Sequence, residues 1–503
     1  MPNQDGEMTR FKQILAEVSD LNNAAALLDW DQQTYMPPRG AIARGHQLAT
    51  LERLAHLRFT SDEMGSLLED LKRKAADLDP DSDDARLIRV TARRFDKQVK
   101  VPGDLVAEFA RVTAIAQQTW QQAKAEDNFS LFQPHLEKVV ELRRAYADLF
   151  APYDHIYDAL LDDFEPGLKT ADVQKIFTDL RPQQVELIKA IGEKPAIDSS
   201  FLLQYYDEQK QWDFSKQVAT RFGYDWQRGR LDKSAHPFTT NFGIDDVRIT
   251  TRVLPENLSS TLFGTMHETG HALYEMGVDP ALERTPLARG ASLAVHESQS
   301  RMWENLVGRS YPFWIYFYPR LQDAFPTQLG GVSLDAFYKA INKVEPSLIR
   351  VEADEATYNL HIMLRLELEI ELIEGAVAVK DLPEAWNARM QDYLGIKPAS
   401  DAQGVLQDIH WSGGSIGYFS TYALGNLISV QLWERIQLDL PTLEDQIRKG
   451  EFSELLGWLR EHIHRYGAKY EPQELVQHIT GSKIDAAPYV RYLWDKYGKI
   501  YDL

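Results

Sequence analysis

Cysteine is absent from all 503 residues, which excludes disulfides, thiolate catalysis and cysteine-based zinc sites, and leaves His, Asp and Glu as ligands for any metal. That absence fits a reducing compartment. Positive charge is in the minority, since 55 Lys plus Arg face 75 Asp plus Glu for a formal net charge of -20. Such a surface repels phosphate backbones and anionic membranes, so no nucleic-acid partner is expected. Apolar runs stay well short of the roughly 18 residues needed to cross a bilayer. The opening stretch MPNQDGEMTRFKQ lacks the charged, apolar and small-residue order of a secretory signal. No membrane partner is expected, and the cytoplasm is the expected location. Internal repeats, low-complexity tracts and Gly/Ser linkers are also missing. The length would suit about three or four average domains, but nothing marks a boundary, and the chain reads as one body over 1–503.

What is present is mostly helical periodicity. Phe11, Ile14, Leu15, Val18 and Leu21 recur at spacings of three and four and put one apolar stripe on an amphipathic helix, with Thr9 as its expected cap. Thr60 followed by Glu63 has capping-box spacing. Pro80 and Pro102 punctuate a charged helical stretch and start the next, which carries Leu105, Phe109, Val112 and Ile115. One segment breaks the pattern. Val247, Ile249, Thr251 and Val253 alternate with Arg248, Thr250 and Arg252, predicting a small β ribbon near 247–253.

The strongest chemical signal is His267-Glu268-Thr269-Gly270-His271, within the apolar helical run from Leu258 to Met276. On a helix, residues four apart lie about 6 Å apart along the axis on one face, so both imidazoles can reach one ion. Glu268 lies beside the first ligand and can lean over a metal-bound water as general base. Gly270 inside the helix costs about 1 kcal/mol against Ala and points to close packing with another element. A short motif of this kind also occurs by chance, so a third ligand is needed. His296-Glu297-Ser298-Gln299 offers one on a second helical stretch. Neighbouring helical residues diverge by about 100°, so one of the pair faces the ion. Glu297 is the choice, because two His plus one Glu with an open position suits catalytic zinc, and His296 is left a substrate-side or supporting role.

These residues resemble the carboxypeptidase Taq family, the thermostable carboxypeptidases. His236-Pro237-Phe238, Asp246-Val247-Arg248-Ile249-Thr250, HETGH, His296-Glu297-Ser298-Gln299, Ile349-Arg350-Val351-Glu352-Ala353-Asp354 and Gly404-Val405-Leu406-Gln407-Asp408-Ile409-His410-Trp411 match the family's six signature segments in order. Similarity extends outward from Leu28-Asp29-Trp30-Asp31-Gln32 to the stretch Tyr489 to Tyr497. The resemblance implies an all-α fold, a large helical body divided by a deep groove with the metal on its floor, and a homodimer. It also implies sequential removal of single residues from peptide C-termini, with broad preference and Pro disfavoured, and Zn2+ as cofactor with Co2+ able to replace it.

A terminal carboxylate is matched by a planar guanidinium through two parallel hydrogen bonds. Arg248 and Arg350 are therefore the substrate-binding candidates, with His236 and His296 beside them. The opposing reading ties each arginine to a structural carboxylate such as Asp246 or Asp354. Stabilising an oxyanion needs an aimed donor, and His410, Tyr418 and Tyr422 are the candidates, around glycines that let the backbone approach closely. Asp354 and Asp408 are expected to orient the metal-binding imidazoles. His462 and His464 are read as lying on a solvated helix face, and the aromatic cluster Tyr311 to Tyr318 as core or dimer interface. The rival within peptidases is an oligoendopeptidase or dipeptidase of the related helical-groove type, which does not depend on a free carboxylate. A rival of another class is a silent peptide-binding scaffold.

Overall fold

Burial follows the apolar stripe at the start of the chain: Phe11 and Ile14 are fully buried and Leu15 nearly so. A computed structural model describes residues 4–503 of the chain, with side chains from residue 6 onward. The first helix, α1, runs Gln4–Thr34, so Thr9 lies inside it and not at its cap. It is followed by α2 (Ala41–Phe59), α3 (Asp62–Ala75), α4 (Asp83–Lys100), α5 (Gly103–Ala125) and α6 (Phe129–Asp148). Ser61, not Thr60, caps α3, its side chain accepting from the Met64 amide. The serine hydroxyl reaches the third amide of the helix, the usual N-cap geometry. Pro102 stands at the start of α5 as its spacing predicts.

Helices α1 to α4 bury Phe11, Leu15, Phe59, Met64, Leu68 and Leu87 in a core of their own, which also takes in Ile244, Val278, Leu282 and Leu287 from the middle of the chain. A much larger core gathers α5, α6 and most later helices. Each fully buried Leu, Ile or Phe contributes about 1.5–3 kcal/mol relative to exposure, so both bodies have ample apolar burial. Phe313, Trp314, Phe317 and Tyr318 are buried in the larger core.

The β ribbon is part of a three-stranded sheet. Strand β3 (Val247–Thr251) is central, paired parallel with β1 (Leu231–Lys233) and antiparallel with β2 (Thr239–Asn241). Thr250 and Thr251 are as buried as Val247 and Ile249, because the sheet packs against the helix Leu258–Met276. Arg252 and Val253 lie beyond the strand. Among the described residues no helix is long and apolar enough to cross a membrane.

Candidate metal centre

The helix Leu258–Met276 starts at Asn257, whose side chain accepts from the Ser260 amide, and carries HETGH in its middle. The helix Leu293–Arg301 starts at Ser292, which caps the Val295 amide, and continues directly into a π-helical turn, Met302–Val307. The two cross closely at Gly270. A Cβ there would lie 2.7 Å from both the Gln299 carbonyl oxygen and the Ser300 Cα, so the tight packing read from the sequence is a backbone-to-backbone contact. Gly425, on the helix Ser420–Asp439, does the same for the third candidate ligand: a Cβ would meet Glu297 Cβ and Cγ at 2.6 Å.

The outcome is a three-membered donor set. Potential ligand atoms of His267, His271 and Glu297 lie within 4.8 Å of one another, and Glu297 Oε2 is 3.5 Å from Nε2 of each histidine. Both Nδ1 atoms are already taken, His267 by Glu304 Oε2 at 2.9 Å and His271 by His296 Nδ1 at 2.6 Å. Metal-binding imidazoles usually have their second nitrogen held in this way. Two nitrogens and one carboxylate fit a divalent ion of the zinc type, whose catalytic sites take three protein ligands. Burial disfavours the Glu297 charge, but Arg301, donating from Nε to Glu297 Oε1 at 2.7 Å, and the two imidazoles outweigh it and hold the carboxylate ionised. Burial pushes His271 down to about 3, whereas in His267 the Glu297 and Glu304 carboxylates overcome burial and raise it to about 9.

Glu268 is buried beside this set. Burial raises its pKa, opposed by His267 and by the Thr239 hydroxyl, which donates to Glu268 Oε2 at 2.7 Å. Thr239 belongs to β2, so the sheet fixes this carboxylate. His296 is not turned to the ion. Its Nε2 meets Glu275 Oε1 at 2.6 Å, and Asn241 of β2 donates to the other Glu275 oxygen. His271, His296, Glu275 and Asn241 thus form one line behind the metal site.

The remaining predicted residues fall into three places. Arg350, His410, Tyr418 and Tyr422 come together, with the His410 and Tyr418 ring centres 5.2 Å apart, Tyr418 and Tyr422 also 5.2 Å, and Arg350 5.1 Å over the Tyr422 ring. Arg350 is held by Asp408 through Nε at 3.0 Å and Nη2 at 2.8 Å, and donates from Nη1 to the Tyr358 hydroxyl at 3.0 Å. Burial, helped by Arg350 and Arg365, lowers His410 to about 4, so its ring is neutral near pH 7. Arg248 is paired with both oxygens of Asp246 at 2.8 Å and lies 4.4 Å over the Trp30 ring, tying α1 to the sheet. His236 is exposed in the loop between β1 and β2.

Two sequence expectations are corrected. Asp354 and Asp408 do not orient the metal-site imidazoles. Asp354 caps the helix Glu355–Glu374 through the Ala356 and Thr357 amides, and Asp408 is consumed by Arg350 and Arg365. Glu304 and His296 hold those places instead. Likewise His464 is fully buried, its Nε2 2.9 Å from Gln299 Oε1, while His462 is exposed as expected. Sequence reasoning missed Arg301, Glu304 and Tyr358, which link Glu297 to Arg350: Arg301 stacks 4.7 Å over the Tyr358 ring. Arg301 follows Glu297 by four residues and Glu304 by seven, spacings that return to the same helix face.

The family model described as carboxypeptidase Taq (M32) metallopeptidase matches residues 10–497. Thermostable carboxypeptidase 1 of Thermus thermophilus is 42% identical over 96% of this chain and 97% of its own length. Carboxypeptidase 1 of Bacillus subtilis is 38% identical over 98% of each. The solved M32 carboxypeptidase from Deinococcus radiodurans R1 superposes with a TM-score of 0.96 at 39% identity, covering 99% of this chain and 100% of that one. With the match running nearly end to end and a donor set fit for a divalent ion beneath it, the chain belongs to the carboxypeptidase Taq (M32) metallopeptidase family and is a metal-dependent carboxypeptidase.

Proposed function

We propose that the protein releases single amino acids sequentially from the free C-terminus of peptides, with broad preference and with Pro disfavoured. One observation carries this reading: His267, His271 and Glu297 converge while the buried Glu268 carboxylate stands next to them. The three residues hold Zn2+, which Co2+ can replace. When bound, such an ion polarises a peptide carbonyl and lowers the pKa of a water ligand from 15.7 to about 7. Glu268 accepts the proton of the attacking water and passes it to the leaving amine. Thr239 keeps that carboxylate in place during the transfer.

Tyr418 and Tyr422 supply hydroxyl donors for the developing oxyanion, and the neutral His410 ring packs beside them. Arg350 and Arg248 bind or limit the C-terminal end of the peptide; their planar forks suit a carboxylate. His296 supports His271, and His236 lines the entrance. The chain acts as one catalytic unit, 1–503, in a cytoplasmic homodimer.

The deciding experiment is mass spectrometry of a peptide digest over time. Successive losses of one C-terminal residue, stopped by a chelator and restored by zinc or cobalt, are expected. C-terminal amidation should block cleavage; unchanged cleavage of the amide would replace this reading with an oligoendopeptidase. Glu268→Gln should abolish turnover while keeping the metal.

A further inference from the structure

A cavity of about 520 Å³ lies beside the metal site, with Thr239, which holds Glu268, and His296, which holds His271, on one wall, and α1 and Arg94 of α4 on the other. It lies between the two hydrophobic cores. Its acids are all engaged. Asp163 is bound by Lys97, Arg143 and Tyr146, Glu275 by His296 and Asn241, and Glu283 accepts from the Ile244 amide. Arg284 is paired with Asp20. Arg94 and Arg289 are different: among the described residues neither guanidinium has a hydrogen bond or an ion pair, although acids outnumber bases 75 to 55 in the chain. Both also line the adjoining recess of about 470 Å³, where Glu52 makes no ion pair with either.

Arg94 is half-buried on α4, and burial and the like charge of Arg289 both oppose its charge. A guanidinium stays protonated under such pressure, so the half-buried Arg94 and the solvent-exposed Arg289 face one cavity with no acid of the protein between them. An anion between them relieves the desolvation of Arg94 and the repulsion between the two forks together, and the planar fork matches a carboxylate best. The location narrows the source of that carboxylate. A carboxypeptidase site admits one residue beyond the scissile bond. The cavity is within the range of about 300–1,000 Å³ typical of ligand pockets, more than a single residue needs. Its size and its place beside the metal site favour the peptide upstream of the bond as its occupant.

We propose that Arg94 and Arg289 form a subsite for the side-chain carboxylate of a Glu or Asp lying upstream of the residue removed, so that the enzyme favours acidic peptides. This inference rests on the carboxypeptidase reading above. The test uses hexapeptides with one fixed C-terminal dipeptide and a single Glu or Gln walked through the upstream positions, cleaved by the zinc-loaded enzyme. The readout is the Glu/Gln ratio of kcat/KM within each enzyme, which cancels any general loss of active protein. At one or two positions the ratio should be about tenfold, the worth of about one charge-assisted pair. It should fall towards one in the Arg94→Gln/Arg289→Gln double variant, fall partway in Arg289→Gln, and shrink at high salt. A ratio near one at every position of the unaltered enzyme overturns the subsite. So does a ratio that persists in the double variant, including the case where Glu and Gln peptides lose rate equally, which assigns the arginines to the terminal carboxylate or to structure. Failure of the underlying reading is separate: the unaltered enzyme would then release something other than single C-terminal residues from the Gln peptides.

Discussion

Glu304 Oε2 lies 2.9 Å from Nδ1 of His267, while Glu297 approaches the other ring nitrogen, Nε2. The π-helical turn Met302–Val307 places it there, just after the helix that carries Glu297. Arg301 lies 3.2 Å from the same oxygen, so one cation serves both the Glu297 and Glu304 carboxylates. Removing the Glu304 charge should weaken the metal site without removing a ligand. Glu304→Gln is expected to lower zinc affinity about 10–100-fold, measured by competition with a chromogenic chelator.

Gly425→Ala attacks the third ligand from behind. The new methyl would fall 2.6 Å from Glu297 Cβ and Cγ, and neither helix backbone can retreat cheaply in a packed core. Overpacking of this kind costs about 1–3 kcal/mol. The expected outcome is a lower melting temperature together with reduced zinc binding in the folded protein.

Gly270→Ala tests the helix crossing. Ala is the better helix former by about 1 kcal/mol, so propensity alone predicts stabilisation. The contact predicts the reverse, since the Cβ meets backbone atoms of Gln299 and Ser300 that no rotamer change can move. We expect a fall in melting temperature on thermal denaturation; a rise would mean the helices separate freely.

Much of this site was legible in the sequence because its chemistry is written in local spacing. HETGH sets two ligands on one helix face, and the alternation Val247 to Val253 announces the strand that supports Thr239 and Arg248. The partners of those residues were not legible where contact depends on how helices cross. Asp408 shares a signature segment with His410, yet it faces Arg350 and Arg365, while Glu304, outside any signature segment, meets His267. His464 shows the same limit: its neighbours His462 and Arg465 are exposed, but a 3-10 turn, His464–Tyr466, turns its ring inward to Gln299.

Glu369 gives the fold a pH dependence. It is fully buried and accepts hydrogen bonds from Tyr157 at 2.6 Å, Trp411 Nε1 at 2.7 Å and the Gly417 amide at 2.9 Å, tying down the segment that leads to Tyr418. Burial pushes its pKa up to about 7, against the pull of these three donors and of Arg143. A raised carboxyl pKa means that the folded state binds the proton more tightly than the unfolded one. This group's contribution to stability therefore falls as pH rises from about 4.5 to about 7 and is level above that. Glu369→Gln lacks the titration, so the gap in melting temperature between the two proteins should narrow from pH 5 to pH 8.

Asp408 separates an orienting role at the metal from a role at the arginines. Its two oxygens accept from Arg350 Nε and Nη2 and from Arg365 Nε, and Arg365 is fully buried. Asp408→Asn leaves two buried cations without their anion, and breaking a buried pair in this way costs about 3–5 kcal/mol. The loss should appear in denaturant unfolding as a lower midpoint. Zinc affinity, measured on folded protein at low temperature, should hold, because Glu304 and His296 occupy the Nδ1 atoms of both metal-site imidazoles. A loss of zinc comparable to that of Glu304→Gln would return Asp408 to the metal site and contradict the geometry that places it with Arg350.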